Sequence, residues 1–269
     1  MDWPPDRSDD STYREAIDRQ IRSWLAEAPP RLAEDAARPF DTDAGRFRGQ
    51  FLLLGLEAIE SDRRDGRSIP AAASVELLYG QALLNARAAG LDTDFEGMDR
   101  TRALLASDYL HSLAYAGFEH LEVEPSIGEA CFRSVSTATR RLAAFWTRAE
   151  EGTLESIDHV PIEPVVTATA GDLAGFLGRA DEDCRRALRA TGAALGVARW
   201  QAGEPGEDRC GCSMGTVIPD DWPGPVLVDG IDAGGVDDLL APLPDSRALS
   251  RLRDVADSVL GEPTGSTHP

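Results

Sequence analysis

The chain has 269 residues, of which 47 are acidic and 27 basic, for a formal net charge of −20. Every basic residue other than the four histidines is arginine, and that acidic excess excludes the cationic stripe by which a protein neutralises nucleic-acid phosphates. Hydrophobic residues make up 42%, enough for the core of one large domain or two small ones, and no apolar run reaches the ~20 residues of a membrane span.

Tyr13, Ile17, Ile21, Trp24 and Leu25 recur at three- and four-residue steps and predict a helix over 12–28, capped by Ser11 or Thr12 and ended by Pro29-Pro30. A second helix is predicted over 44–60 on Phe51-Leu52-Leu53-Leu54 and Leu56. Segment 69–90 opens with Pro70 in its first turn, where the missing N–H costs nothing. Between Ala71 and Leu91 only Glu76 and Arg87 are charged, which describes a helix buried on most sides. Segment 99–121 repeats the helical pattern through Leu105, Tyr109, Leu113 and Phe118, and Pro125 separates it from a helix over 126–150. The stretch 152–164 holds Gly152, Pro161 and Pro164 and reads as a connection to helices over 165–179 and 181–202.

Residues 203–235 carry Gly and Pro throughout and read as a long loop or insertion, with 216–218 and 226–228 as short strand candidates. Leu249, Leu252, Val255 and Val259 predict a last amphipathic helix over 245–260, and the tail after it reads as frayed. The expected organisation is a helical bundle core over 1–202, a loop over 203–235, and a C-terminal helix and tail over 236–269 packed on the same domain. The fold class is all-α, an antiparallel helical bundle.

Composition also bears on setting. A lysine-free, acidic chain fits a halophilic cytosol, where molar salt shrinks the Debye length to about 3 Å and surface self-repulsion fades. The polar, acidic start argues against a secretion leader, so a cytoplasmic location is expected. Cys131 and Cys184 stand singly in helical text, while Cys210 and Cys212 form a C-x-C without a second pair at zinc spacing; free thiols are the default. His111 and His120 share a helix with no partner at metal spacing, and no serine sits in a nucleophile-elbow context, so a hydrolase triad finds no support.

Three stretches carry a resemblance. Gly45-Arg46-Phe47-Arg48-Gly49 precedes FLLLGLEAIE; Ala71-Ala72-Ala73-Ser74-Val75-Glu76-Leu77-Leu78-Tyr79 follows; then comes Ala103-Leu104-Leu105-Ala106-Ser107-Asp108-Tyr109-Leu110. In this order and spacing the chain resembles the trans-isoprenyl diphosphate synthases, or polyprenyl synthetases, with their G-K-x-x-R-P, A-x-A-x-E-L-x-H and A-x-L-x-G-D-x-L segments. The resemblance implies an isoprenoid-synthase-like bundle and makes Gly45, Arg46, Arg48 and Tyr79 candidates for holding a diphosphate. Two cations at a helix start suit an anion, and a phenol can donate one hydrogen bond where the family has a histidine.

The chemistry implied by the resemblance is magnesium-assisted ionisation of an allylic diphosphate, with carboxylates of two DDxxD-like motifs holding the metal. Counting from Glu76, the first motif falls on Ala86-Arg87-Ala88-Ala89-Gly90, with Ala86, Arg87 and Gly90 at the ligand positions. The second falls on 202–206, where Gly203 and Glu204 stand, and the family's Lys-Thr pair near 162–163 is Ile-Glu. Asp92, Asp94, Asp99 and Glu204 remain as substitute metal ligands.

The expectation is thus a degenerate, haloarchaeal-type member lacking both motifs. It would have no cofactor and no catalytic residue, and would act as a partner or regulatory subunit in isoprenoid metabolism. It would form a homo- or hetero-oligomer with an active prenyl synthase. One alternative is an active prenyltransferase or terpene-type enzyme with relocated ligands, which would need magnesium. Another is a binding protein for a prenyl diphosphate or lipid.

Overall fold

A computed structural model of the chain describes residues 8–42, 45–60, 68–91, 95–119, 121, 123–151, 161–202 and 233–260. Among them every regular element is a helix: α1 Ser8–Leu25, α2 Pro30–Thr42, α3 Phe47–Ile59, α4 Ile69–Ala89, α5 Arg100–Glu119, α6 Pro125–Glu150, α7 Ile162–Leu177, α8 Glu182–Ala202, α9 Ala233–Leu240 and α10 Arg247–Leu260. The all-α bundle expected from periodicity is what the chain forms.

Helix α7 is the axis. Its sequence, IEPVVTATAGDLAGFL, has two charged residues, and nearly every position is buried. It packs on α8, α3, α6 and α4. Small residues make that density possible. A Cβ on Gly171 would lie 2.3 Å from the carbonyl oxygen of Leu188, and one on Gly192 would lie 2.4 Å from that of Thr167. Backbone therefore meets backbone where α7 crosses α8, and any larger residue there must push the helices apart.

Around this axis, α3 is buried on almost every face, with Phe47, Phe51, Leu52 and Leu54 at 2% exposure or less. Helix α4 is likewise buried from Ala71 to Leu78 and pairs mainly with α5. Helix α10 lays Leu249, Leu252, Val255 and Ala256 inward and packs against α3 and α9. Fully burying one such Leu or Val contributes about 1.5–3 kcal/mol.

Three boundaries differ from the sequence reading. Helix α2 occupies a stretch between the first two predicted helices, with Pro30 as its first residue and Pro39 in its last turns. Helix α7 begins at Ile162, inside the stretch read as a connection, because Pro164 falls in a first turn that needs no N–H there. Helix α9 begins at Ala233, inside the stretch read as loop. Residues 203–232, with the two strand candidates and Cys210 and Cys212, lie outside the described residues.

Candidate functional site

The residues singled out by the resemblance gather at the start of α3, and the structure separates their roles. Arg46 sits just before the helix in a left-handed conformation (φ 49°, ψ 41°). That turn sends its side chain back to the N-terminal helices. Nε donates to Asp18 Oδ1 at 2.6 Å, Nη2 donates to the Phe40 carbonyl at 3.0 Å, and the guanidinium lies 5.4 Å from the Phe40 ring centroid. Gly45 contributes its carbonyl, which accepts a hydrogen bond from Gln50 Nε2.

Arg48 points the other way, into the bundle, and is 0% exposed. Its Nη2 donates to Glu76 Oε2 at 2.9 Å and its Nε donates to the same oxygen at 3.2 Å. Its Nη1 donates to Glu163 Oε2 at 2.5 Å. Tyr79 lies under it, with the guanidinium carbon 3.5 Å from the ring centroid. Glu76 Oε1 accepts from the Gly49 N–H at 2.7 Å, so the same carboxylate also satisfies a donor of the first α3 turn.

Glu163 carries the network onward. Its Oε1 accepts from Arg199 Nε at 3.1 Å, and the Arg199 guanidinium lies 4.4 Å from the Phe47 ring centroid. Arg48, Glu76, Glu163 and Arg199 thus tie α3, α4, α7 and α8 at one level of the bundle, two cations against two anions. Charges this deep are tolerable only when paired and hydrogen-bonded. An anion brought to Arg48 must displace a carboxylate that already holds it.

The side chains of Arg46 and Arg48 thus diverge, Arg46 toward α1 and α2 and Arg48 into the enclosed bundle. Glu163 and Arg199 were not among the candidate site residues. Glu163 left one trace in the sequence, as an acid that stands with Ile162 where the resemblance implies a Lys-Thr pair; Arg199 left none.

The positions of the first motif do something else. Gly90 ends α4 in the left-handed region at φ 90°, its N–H reaching the carbonyls of Ala86 and Arg87. Arg87 Nε donates to the Met98 carbonyl at 2.9 Å, holding the following turn against the helix end, and Ala86 is buried. Asp99 is exposed and its Oδ1 accepts from the Arg102 N–H at 2.9 Å, so it caps α5. Asp92, Asp94, Gly203 and Glu204 lie outside the described residues. Among the described residues no three His, Cys, Asp or Glu side chains gather to hold a metal ion. A magnesium cluster needs several converging carboxylates, and the described groups at the end of α4, Ala86, Arg87 and Gly90, supply none.

A geranylgeranyl pyrophosphate synthetase from Pyrococcus horikoshii Ot3 superposes with a TM-score of 0.67 at 18% identity, covering 94% of this chain and 98% of that one. The chain has the isoprenyl diphosphate synthase fold. A geranyl diphosphate synthase small subunit from Antirrhinum majus superposes with a TM-score of 0.59 at 17% identity, over 95% of this chain and 100% of that one. A heterotetrameric geranyl pyrophosphate synthase from mint gives 0.62 at 14% identity, over 93% and 99%. No protein-family model and no curated protein matches the sequence. At these identities the likeness establishes the fold, and the activity has to be argued from the site. No helix among the described residues is long and apolar enough to cross a membrane.

Proposed function

We propose that the chain is a non-catalytic isoprenyl diphosphate synthase homologue that acts as a partner or regulatory subunit in isoprenoid metabolism. The observation that carries this reading is the enclosed network. Glu163 supplies the anion for Arg48 from within the chain, at 2.5 Å, so the bundle neutralises internally the cation that would otherwise meet a diphosphate. The end of α4 adds to it, because Arg87 and Gly90 serve the helix terminus and offer no carboxylate to a metal. A fold kept whole while its charged interior is closed is what a subunit valued for its shape would retain.

Two further facts favour association. Leu104, Leu105 and Phe132 are half-exposed large apolar side chains on α5 and α6, with Phe132 edge-on to Tyr115 at 4.8 Å between centroids. The small subunit from Antirrhinum majus and the heterotetrameric synthase from mint are both heteromeric by name and share the fold.

The test pairs the purified chain with an intact prenyl synthase from the same source, in high salt, by sedimentation and by product analysis. A stable hetero-oligomer with altered product length or rate supports the proposal. Absence of association in repeated trials overturns it. Product formed by the chain alone from allylic and homoallylic diphosphates with magnesium would establish instead the enzyme with relocated ligands at Asp92, Asp94, Asp99 and Glu204.

A further inference from the structure

A second polar feature lies on the far side of α7. Helices α6, α7 and α8 enclose a cleft of about 350 Å³, within the size range of small-ligand pockets. Four arginines line it: Arg133 and Arg141 from α6, two turns apart, and Arg185 and Arg189 from α8, one turn apart. These spacings put each pair on one helical face. One acid, Asp172 of α7, lies among the lining residues. In a chain of net charge −20, a cleft whose own lining is cationic runs against the composition.

The neutralising contacts are unevenly placed. Arg133 pairs with Glu129 at 2.6 Å, but both side chains are more than 70% exposed, so this pair sits at the solvent rim. Arg185 pairs with the exposed Glu182 and stacks 4.7 Å from the Phe176 ring centroid. Deeper in, Ser134 Oγ donates to Asp172 Oδ2 at 3.2 Å, and Arg189 Nη1 approaches Asp172 Oδ1 at 3.5 Å. At that depth Arg189 Nε and Asp172 Oδ1 are both buried without a hydrogen-bond partner. A buried guanidinium N–H left without an acceptor keeps its desolvation cost with no hydrogen bond to offset it, and such a group calls for an explanation. An anion seated beside Arg189 would supply that acceptor. The remaining wall is apolar, from Val165, Ala168 and Phe176.

We propose that the cleft between α6, α7 and α8 binds a small organic phosphate, its phosphoryl oxygens on Arg189 and its organic part against Val165, Ala168 and Phe176. Guanidinium forks suit phosphate oxygens, and the apolar wall gives a reason for an organic portion over inorganic phosphate alone. Asp172 opposes the anion. Burial pushes its carboxyl upward, against the pull of Arg189, Ser134, Arg185 and Arg141, which lessens the opposition. The site shares no residue with the Arg48 network, and the proposal stands whether or not the chain pairs with a synthase.

The test uses the full chain, at the lowest salt at which circular dichroism shows it folded, titrated calorimetrically with hexyl phosphate and with inorganic phosphate. Saturable one-site binding of hexyl phosphate is expected, at least several-fold tighter than inorganic phosphate. Arg189→Gln should weaken it about 10–100-fold, the loss of one charge-assisted hydrogen bond. Asp172→Asn should tighten it several-fold, and this variant moves the result in a direction that damage to the fold would not produce. Arg253→Gln, on α10 and paired with Asp237, should leave it unchanged. No binding at millimolar hexyl phosphate, equal loss in Arg253→Gln, or weaker binding by a folded Asp172→Asn would each overturn the proposal.

Discussion

The Arg48 guanidinium lies 3.5 Å from the centre of the Tyr79 ring while Glu76 and Glu163 take its hydrogen bonds. A cation held between an aromatic face and two carboxylates, and closed from solvent, is stable only as a set.

Arg48→Met should therefore be severely destabilising, by about 3–5 kcal/mol, because Glu76 and Glu163 would stay buried without their shared partner. Thermal unfolding should fall by roughly 6–20 °C for a chain of this size. Adding Glu76→Leu should recover part of the loss, since removing both members of a buried pair is far milder than removing one. A double that unfolds no later than Arg48→Met alone would sink this account.

The crossing of α7 and α8 makes a paired forecast. Gly171→Ala places a methyl carbon 2.3 Å from the Leu188 carbonyl oxygen and should cost about 1–3 kcal/mol or more. Gly128→Ala, where the nearest atom is the Val123 Cγ2 at 3.8 Å, should be neutral or stabilising by up to ~1 kcal/mol from helix propensity. Denaturant midpoints of the two variants give the comparison, and equal effects would count against a backbone-to-backbone contact.

Burial pushes the Cys131 thiol up to about 12, far above its ordinary 9.0. The folded state then holds a proton that the unfolded chain releases, so stability contributed by this group is lost as pH rises from about 9 towards 12. Cys131 should also resist thiol reagents at pH 8 until the chain unfolds, because the thiolate is the reacting form. Peptide mapping after labelling with and without denaturant reads this directly; prompt labelling of Cys131 in the folded chain would contradict it.

His111 goes the other way. Burial lowers its basicity, Asp108 offsets part of that, and Nδ1 is buried without a partner while the ring sits 4.6 Å from Tyr115. The neutral form is favoured in the fold, so its contribution is complete above pH 6.5 and lost as pH falls below that value. An imidazole titration followed by NMR should give a midpoint under 6.5. His111→Phe, which keeps a ring against Tyr115, should flatten the acid limb of the stability curve.

The bundle was legible where one face or all faces of a helix are apolar. Segment 69–90 read as buried because only Glu76 and Arg87 break it, and α4 is buried over most of that length. Helix α2 is hard to read because Pro30, which suggests the end of the first helix, is its own first residue, and Pro39 interrupts the four-residue step of Leu32, Ala36 and Phe40. Helix α9 has eight residues, too few for a period to show.

The site was legible only in part. Arg46 and Arg48 stood out beside a helix start, but two residues apart on a helix they need not share a face, and the left-handed turn at Arg46 splits them further. Pairing of Arg48 with Glu163 spans 115 residues, and nothing local to either residue signals it.

That separation has a consequence for the chain as it is made. At ~5–20 residues per second, roughly ten seconds pass between the appearance of Arg48 and that of Glu163 on the ribosome. For that interval α3 and α4 have neither the axial helix nor the carboxylate they will close around. Their apolar faces must stay wet or be shielded, and the final collapse waits for α7 to clear the exit tunnel. A nascent chain halted just before residue 162 should be the form that holdase chaperones grip most firmly.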